Sequence, residues 1–129
     1  MNIAFLGLGA IGRPMAARIA AAGLPLAVWN RTTERAAEFA RETGARHAAT
    51  PADAVRGADV VITCLPTSRE VHQILEAPDG LLVGMSKGMV LVDCTSGDPA
   101  TSRLIRDSVA TKGVDFIDAP VSGGTTGAQ

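Results

Sequence analysis

Apolar and polar positions alternate between two periods along this chain, one of two residues or continuous, the other helical. Asn2 to Leu6 is a short apolar run, predicting a first strand, and a glycine turn follows it. From about Ala10 to Ala22, Ile11, Met15, Ile19 and Ala22 recur at helical spacing and form the expected buried stripe. Pro14 falls in the first turn of that helix, where a missing N–H costs little, and Gly23 and Pro25 end it. Leu26 to Trp29 predicts a second strand. Thr32 or Thr33 caps a second helix that runs to about Thr43, with Glu34 in its first turn and Gly44 after it. Arg46 to Ala49 reads as a short third strand, and Thr50-Pro51 opens a short helix from Ala52 to Arg56. Asp59 to Leu65 is a fourth strand whose continuous apolar run fits a sheet covered on both faces. A helix from about Arg69 to Glu76 and a turn at Pro78-Asp79-Gly80 come next. Met89 to Cys94 is the fifth strand, Asp98-Pro99 starts a helix to about Thr111, and Asp115 to Asp118 is the sixth strand.

Strand and helix alternate throughout, which predicts an α/β fold: a parallel sheet with helices on both faces. Right-handed crossovers and the opening glycines favour the doubly wound strand order 3-2-1-4-5-6. No linker, low-complexity segment or further repeat divides the 129 residues, enough for one domain with a real core.

The glycines carry the first chemical signal. Gly7, Gly9 and Gly12 stand between a strand and a helix, the context that gives G-x-G-x-x-G its meaning. The first allows a tight turn, the second lets a pyrophosphate approach the backbone, and the third lets the helix pack close. A helix N-terminus then offers free N–H groups to the phosphates. A dinucleotide is the expected ligand. About 20 residues further on, an NAD site places an acid for the ribose 2′-hydroxyl. Here the chain has Asn30, Arg31 and Thr32, with Arg35 one turn later. Arg31 can pair with a 2′-phosphate that a carboxylate would repel, so NADP is favoured over NAD; the plainer alternative is a solvent-exposed arginine at the start of a helix.

Ligands of such sheets bind beyond the carboxyl ends of the strands. The loops there are Leu65-Pro66-Thr67-Ser68, Thr95-Ser96-Gly97 and Ser122-Gly123-Gly124-Thr125-Thr126-Gly127. The last offers hydroxyls and backbone N–H groups that could form an anion nest for a carboxylate, or it is simply a flexible turn. No side chain presents itself as a general acid or base. His47 and His72 read as surface residues, and Asp93 and Asp118, at strand ends, as structural acceptors. Cys64 and Cys94 lack metal-site spacing and read as small core residues.

Composition narrows the classes. A net charge of −1 gives no basic field for nucleic acid, and three Phe, one Trp and no Tyr give no stacking platform for single strands. No apolar run is long enough to span a membrane, and Met1 leads directly into a strand without a leader pattern, so a cytoplasmic location is expected.

The segments GLGAIGRPMA, WNRT, CLP, VDCTSGDPATSR and DAPVSGGTTGA, in this order, resemble the β-hydroxyacid dehydrogenases, which include 3-hydroxyisobutyrate dehydrogenase and are related to 6-phosphogluconate dehydrogenase. The resemblance covers essentially the whole chain and implies a Rossmann domain over residues 1–129. It implies that Gly7, Leu8, Gly9, Ala10, Ile11 and Gly12 hold the pyrophosphate, that Asn30, Arg31 and Thr32 match the NADP pattern, and that Leu65 and Pro66 line the adenosine side. Thr95 and Ser96 would lie near the nicotinamide, and Ser122, Gly123 and Gly124 would receive the carboxylate of a short hydroxyacid or its semialdehyde. Ile11 stands where methionine is commoner, a minor apolar change. Family members run to roughly twice this length, with a helical substrate and dimerisation domain. Their general acid/base lysine, followed by an asparagine one turn later, would lie beyond Gln129. The expectation is therefore an NADP-binding domain that holds cofactor without turnover, self-associates or is weakly stable because of uncovered apolar surface, and belongs to a homo-oligomeric parent. A non-catalytic nucleotide-binding module and an imine reductase are the alternatives, and DAPVSGG argues against the second.

Overall fold

The computed structural model describes residues 1–121. Six strands, β1 (Ile3–Leu6), β2 (Leu26–Trp29), β3 (Arg46–His47), β4 (Val60–Thr63), β5 (Val90–Asp93) and β6 (Asp115–Asp118), form one sheet in the order β3-β2-β1-β4-β5-β6. Every neighbouring pair is parallel. The helices are α1 (Gly12–Ala21), α2 (Thr33–Thr43), α3 (Pro51–Val55), α4 (Ser68–Glu76), α5 (Leu81–Gly84) and α6 (Pro99–Ala110). This is the expected doubly wound Rossmann arrangement, and it brings the loops after β1, β2, β4 and β5 to one edge.

The two faces have separate cores. On one, Ile3, Phe5, Leu26 and Val28 pack against Ala16 of α1 and Ala36 and Phe39 of α2. On the other, Ala4, Leu6, Val61 and Leu91 meet Val55, Val71, Leu75, Leu81, Ile105 and Val109. β1 is buried at all four positions, but β4 and β5 alternate half-buried with buried residues. The expected cover on both faces is therefore complete at β1 only. α1 and α2 sit over the β1–β2 half, and Ile62 and Cys64 meet their cluster only as partly buried neighbours. Beyond them, Ile117 of β6 is 50% exposed.

Several boundaries differ from the sequence reading. α1 starts at Gly12, and its fully buried residues are Gly12 and Ala16. Met15 and Ile19 flank that line half-buried, and Ala22 is exposed. The phase of α1 is set by its smallest residues because a Cβ on Gly12 would lie 1.9 Å from the Gly7 carbonyl oxygen. Only a glycine lets the helix seat so closely on the turn. β3 stops at His47, although the Ala48 N–H still donates to the Val28 carbonyl at 2.9 Å. α5 falls in a stretch where no helix was expected. It exists through packing, since Gly84 approaches α3 so closely that a Cβ would meet the Ala52 carbonyl oxygen at 2.3 Å. α2 starts after Thr32, whose hydroxyl makes no capping bond, and α4 starts at Ser68, one residue before the expected Arg69, while α3 and α6 start at their expected caps. The Thr50 hydroxyl accepts from the Asp53 N–H, Thr67 from the Glu70 N–H, and the Asp98 carboxylate from the Thr101 N–H. No helix among the described residues is long and apolar enough to cross a membrane.

Candidate functional site

A cleft of about 490 Å³ opens at the carboxyl edge of the sheet. Its floor is the glycine turn. Gly7 has φ +109° and packs against the Cys64 carbonyl, where a Cβ would come within 2.2 Å of the oxygen. Gly12 is closed off in the same way by Gly7. Gly9 is different: a Cβ there would meet nothing within 4 Å, and Gly9 lines the cleft. The space a side chain would take is left open where the backbone faces the cleft.

α1 begins at this floor without a side-chain cap and without an acid in its first turn. α2 has Glu34 in its first turn, and α3, α4 and α6 carry side-chain caps. The positive end of α1 is thus uncompensated, as is that of the single-turn α5, and of the two only α1 opens on the cleft, suited to an anion. Arg13, also in the first turn, is engaged elsewhere. It donates to Glu42 at 2.6 Å and lies 5.7 Å from the Phe39 ring centroid, tying α1 to α2.

Asn30 joins the glycine turn to the loop after β2. Its Oδ1 accepts from the Leu8 N–H at 2.8 Å, and its Nδ2 donates to the Thr32 carbonyl at 3.1 Å. The Gly7 N–H donates to the Trp29 carbonyl at 3.0 Å. With the loop so fixed, Arg31, Thr32 and Arg35 all line the cleft. Arg31 and Arg35 are exposed, and neither forms an ion pair among the described residues.

The opposite wall is held by a buried carboxylate. Asp93, 1% exposed, accepts from the Thr63 hydroxyl at 2.9 Å and from the Thr95 N–H at 3.0 Å. The Thr95 hydroxyl accepts from the Leu65 N–H at 3.0 Å. Further out, the Ser68 hydroxyl donates to Asp98 at 3.2 Å. These bonds tie the loop after β4 to the loop after β5 and present Leu65, Pro66 and Ser96 to the cleft. Burial pushes the Asp93 carboxyl above the ordinary carboxylate range, against the hydrogen bonds from Thr95 and Thr63 and with a small addition from Asp118.

The structure therefore brings together Gly7, Gly9, Ala10, Ile11, Gly12, Asn30, Arg31, Thr32, Leu65, Pro66, Thr95 and Ser96. Leu8 stands apart: it is 2% exposed, and its side chain lies in the core beside α1 and α2. Ser122, Gly123 and Gly124 lie outside the described residues. Cys64, Cys94, Glu70 and Val121 also line the cleft, and sequence reasoning gave none of them a place there. The two thiols follow from register. Thr63 pairs with Asp93, so the next residues of both strands emerge side by side on the ligand edge. Burial, then the neighbouring Cys64 and Asp93, pushes the Cys94 thiol up to about 11, and burial raises Cys64 too. Glu70 was hidden because it sits in the first turn of α4 and not in the loop before it. His47 and His72 do not line the cleft. His72 instead lies 3.4 Å from Glu76.

Comparison with known proteins gives this geometry its relatives. Residues 2–129 match the family profile described as the NAD binding domain of 6-phosphogluconate dehydrogenase. The chain is 40% identical over 127 residues to an NAD-dependent L-serine dehydrogenase of Pseudomonas aeruginosa, covering 98% of this chain and 42% of that protein. It is 38% identical over 128 residues to a 3-hydroxyisobutyrate dehydrogenase of the same organism, covering 99% and 43% respectively. Among solved structures, Psf3 in complex with NADP+ and 2-OPP superposes with a TM-score of 0.87 at 34% identity, over 96% of this chain and 44% of that one. The chain thus spans less than half the length of the relatives it matches. With the fold, the glycine cradle and these similarities in agreement, the chain belongs to the β-hydroxyacid dehydrogenase family, as an NAD(P)-binding domain of the 6-phosphogluconate dehydrogenase type.

Proposed function

We propose that residues 1–129 form the NADP-binding domain of an oxidoreductase that moves a hydride between NADP(H) and a short 3-hydroxyacid or its semialdehyde. The observation that carries the cofactor choice is the loop after β2. Arg31, Thr32 and Arg35 line the cleft there, and the loop has no acid where a 2′-hydroxyl would be read. The open face of Gly9 and the uncapped start of α1 suit the pyrophosphate. Asn30 acts by holding the turn and the arginine loop in one geometry. Leu65 and Pro66 would give the adenosine side an apolar wall, and Thr95 and Ser96, on the neighbouring loop after β5, are the proposed neighbours of the nicotinamide. Bound NADP(H) supplies or accepts the hydride. The residues of this chain orient it.

Ser122, Gly123 and Gly124 are the proposed receivers of the substrate carboxylate, as successive N–H groups and a hydroxyl allow. Among the described residues no histidine or lysine lines the cleft to handle the hydroxyl proton. That proton falls to a residue of a further domain, which would also complete the pocket and the homo-oligomer.

Titration of NADPH and NADH against the wild-type chain and Arg31→Ala tests this reading. Wild type binds NADPH more tightly. The variant loses on the order of 1.5–3 kcal/mol with NADPH, the worth of a hydrogen bond to a charged group, and little with NADH. Equal losses for both would refute the 2′-phosphate role. Turnover of hydroxyacids by residues 1–129 alone would refute the assignment of the proton to another domain.

A further inference from the structure

A second hollow of about 190 Å³ adjoins the cofactor cleft and shares Arg31, Leu65 and Glu70 with it. Trp29, Gln73 and Ile74 complete its lining. No residue of the glycine turn lines it, so it extends from the cleft on the Arg31 and Leu65 side. A dinucleotide whose pyrophosphate rests at Gly9 and whose ribose reaches Arg31 has one part left to place there, the purine base. The composition suits a base: Leu65, Ile74 and Trp29 are apolar, and the Arg31 guanidinium is a planar group that stacks on aromatic faces.

Glu70 is the unusual member. It is half-buried, and its carboxylate makes no ion pair among the described residues, even though Arg31 lines both of the same hollows. It is not used to cap α4 either, because the Thr67 hydroxyl does that by accepting from the Glu70 N–H at 3.4 Å. An ionised carboxylate only accepts hydrogen bonds. The exocyclic amine is the only N–H donor on the adenine of a nucleotide. Resting on the proposed cofactor reading, we infer that Glu70 reads the adenine base, accepting a hydrogen bond from its exocyclic amine, and so excludes purines that carry an oxo group there.

The test compares NADPH with reduced nicotinamide hypoxanthine dinucleotide phosphate, which differs only in replacing that amine with an oxo group. Binding is followed by nicotinamide fluorescence on wild type, Glu70→Gln and Glu70→Ala, each checked by thermal melting. Wild type is expected to prefer NADPH by roughly tenfold or more, since the oxo form loses a hydrogen bond to a charged acceptor and meets its repulsion. Glu70→Gln can donate as well as accept and should narrow that preference to about twofold or less. Glu70→Ala should do the same by weakening NADPH while leaving the oxo form no worse. Wild type that binds both dinucleotides equally would overturn the inference and leave the cofactor assignment standing. Variants that weaken both equally would make Glu70 a scaffold residue and overturn it as well. Wild type that binds neither would sink the cofactor assignment itself.

Discussion

Gly12 and Gly9 sit three residues apart in one turn, yet alanine at the two positions should have opposite consequences. A Cβ on Gly12 would lie 1.9 Å from the Gly7 carbonyl oxygen, 3.0 Å from its carbon and 3.3 Å from Phe5 Cε1. The closest neighbour is backbone and cannot rotate aside, so α1 must move by roughly 1 Å in a close-packed interior. Overpacking of this kind costs about 1–3 kcal/mol. Alanine gains at most about 1 kcal/mol over glycine in helix propensity. The net expectation for Gly12→Ala is a loss of about 1–2 kcal/mol, seen as a lowered urea midpoint with an unchanged slope. A Cβ on Gly9 meets nothing within 4 Å. Gly9→Ala should leave stability within about 0.5 kcal/mol. Its methyl would stand in the space proposed for the pyrophosphate, so NADPH affinity should fall about tenfold or more, near 1.4 kcal/mol. Paired urea unfolding and NADPH titration separate the two effects. A Gly12→Ala chain as stable as wild type, or a Gly9→Ala chain that binds NADPH normally, would refute this account of the turn.

The buried groups at the β4–β5 edge carry two further expectations. Burial raises the Asp93 carboxyl, so the folded chain holds that proton more tightly than the unfolded one. The stability this confers is complete below the ordinary carboxylate pKa and is lost as pH rises through the raised value. Asp93→Asn keeps an acceptor for Thr63 and Thr95 without the charge, so urea unfolding from about pH 4 to about pH 7 should show the variant gaining on wild type as pH rises. A constant gap would contradict the assignment. Asp93→Ala strands the Thr63 hydroxyl and the Thr95 N–H, both buried, and should cost about 1–3 kcal/mol at any pH. Cys94, with its thiol pushed up to about 11, should alkylate far more slowly with iodoacetamide than a free thiol, and more slowly still with NADPH present. Fast labelling, or labelling that ignores the cofactor, would count against its place in the cleft.

The topology was legible because two independent signals coincide. The alternation of strands and helices fixes a parallel sheet, and the glycines after β1 place the first strand at its centre. Caps were equally readable at Thr50 and Asp98, where a short polar side chain and a proline open the helix, whereas Thr67 read only as part of a strand break. The phase of α1 was not, because periodicity counts large apolar residues and the real contact is made by Gly12 and Ala16. α5 escaped because four residues show no period, and what holds it is a close approach to Ala52. In the site, the loops were legible because each lies at the carboxyl end of a strand. Loops alone overlook residues inside a helix, such as Glu70, and residues that a strand delivers to its last position, such as Cys64 and Cys94. The glycine motif also attributes to Leu8 a place in the cleft that its apolar side chain does not take. Asn30 was read as a cofactor residue from its motif, and the hydrogen bonds show how it acts on the fold, by clamping two loops.

The three bonds Thr63–Asp93, Leu65–Thr95 and Ser68–Asp98 each join residues thirty apart in sequence. They are rungs across a single closed loop, the crossover from β4 through α4 and α5 to β5. The entropy of closing that loop is charged to the first rung, and the next two form at almost no further closure cost. Such rungs stand or fail together, as one cooperative segment and not as three separate contacts. Any ligand that rests against Leu65 or Ser96 therefore holds the whole crossover shut. Its binding energy is felt at the far end of α4 and in α5 as resistance to local opening.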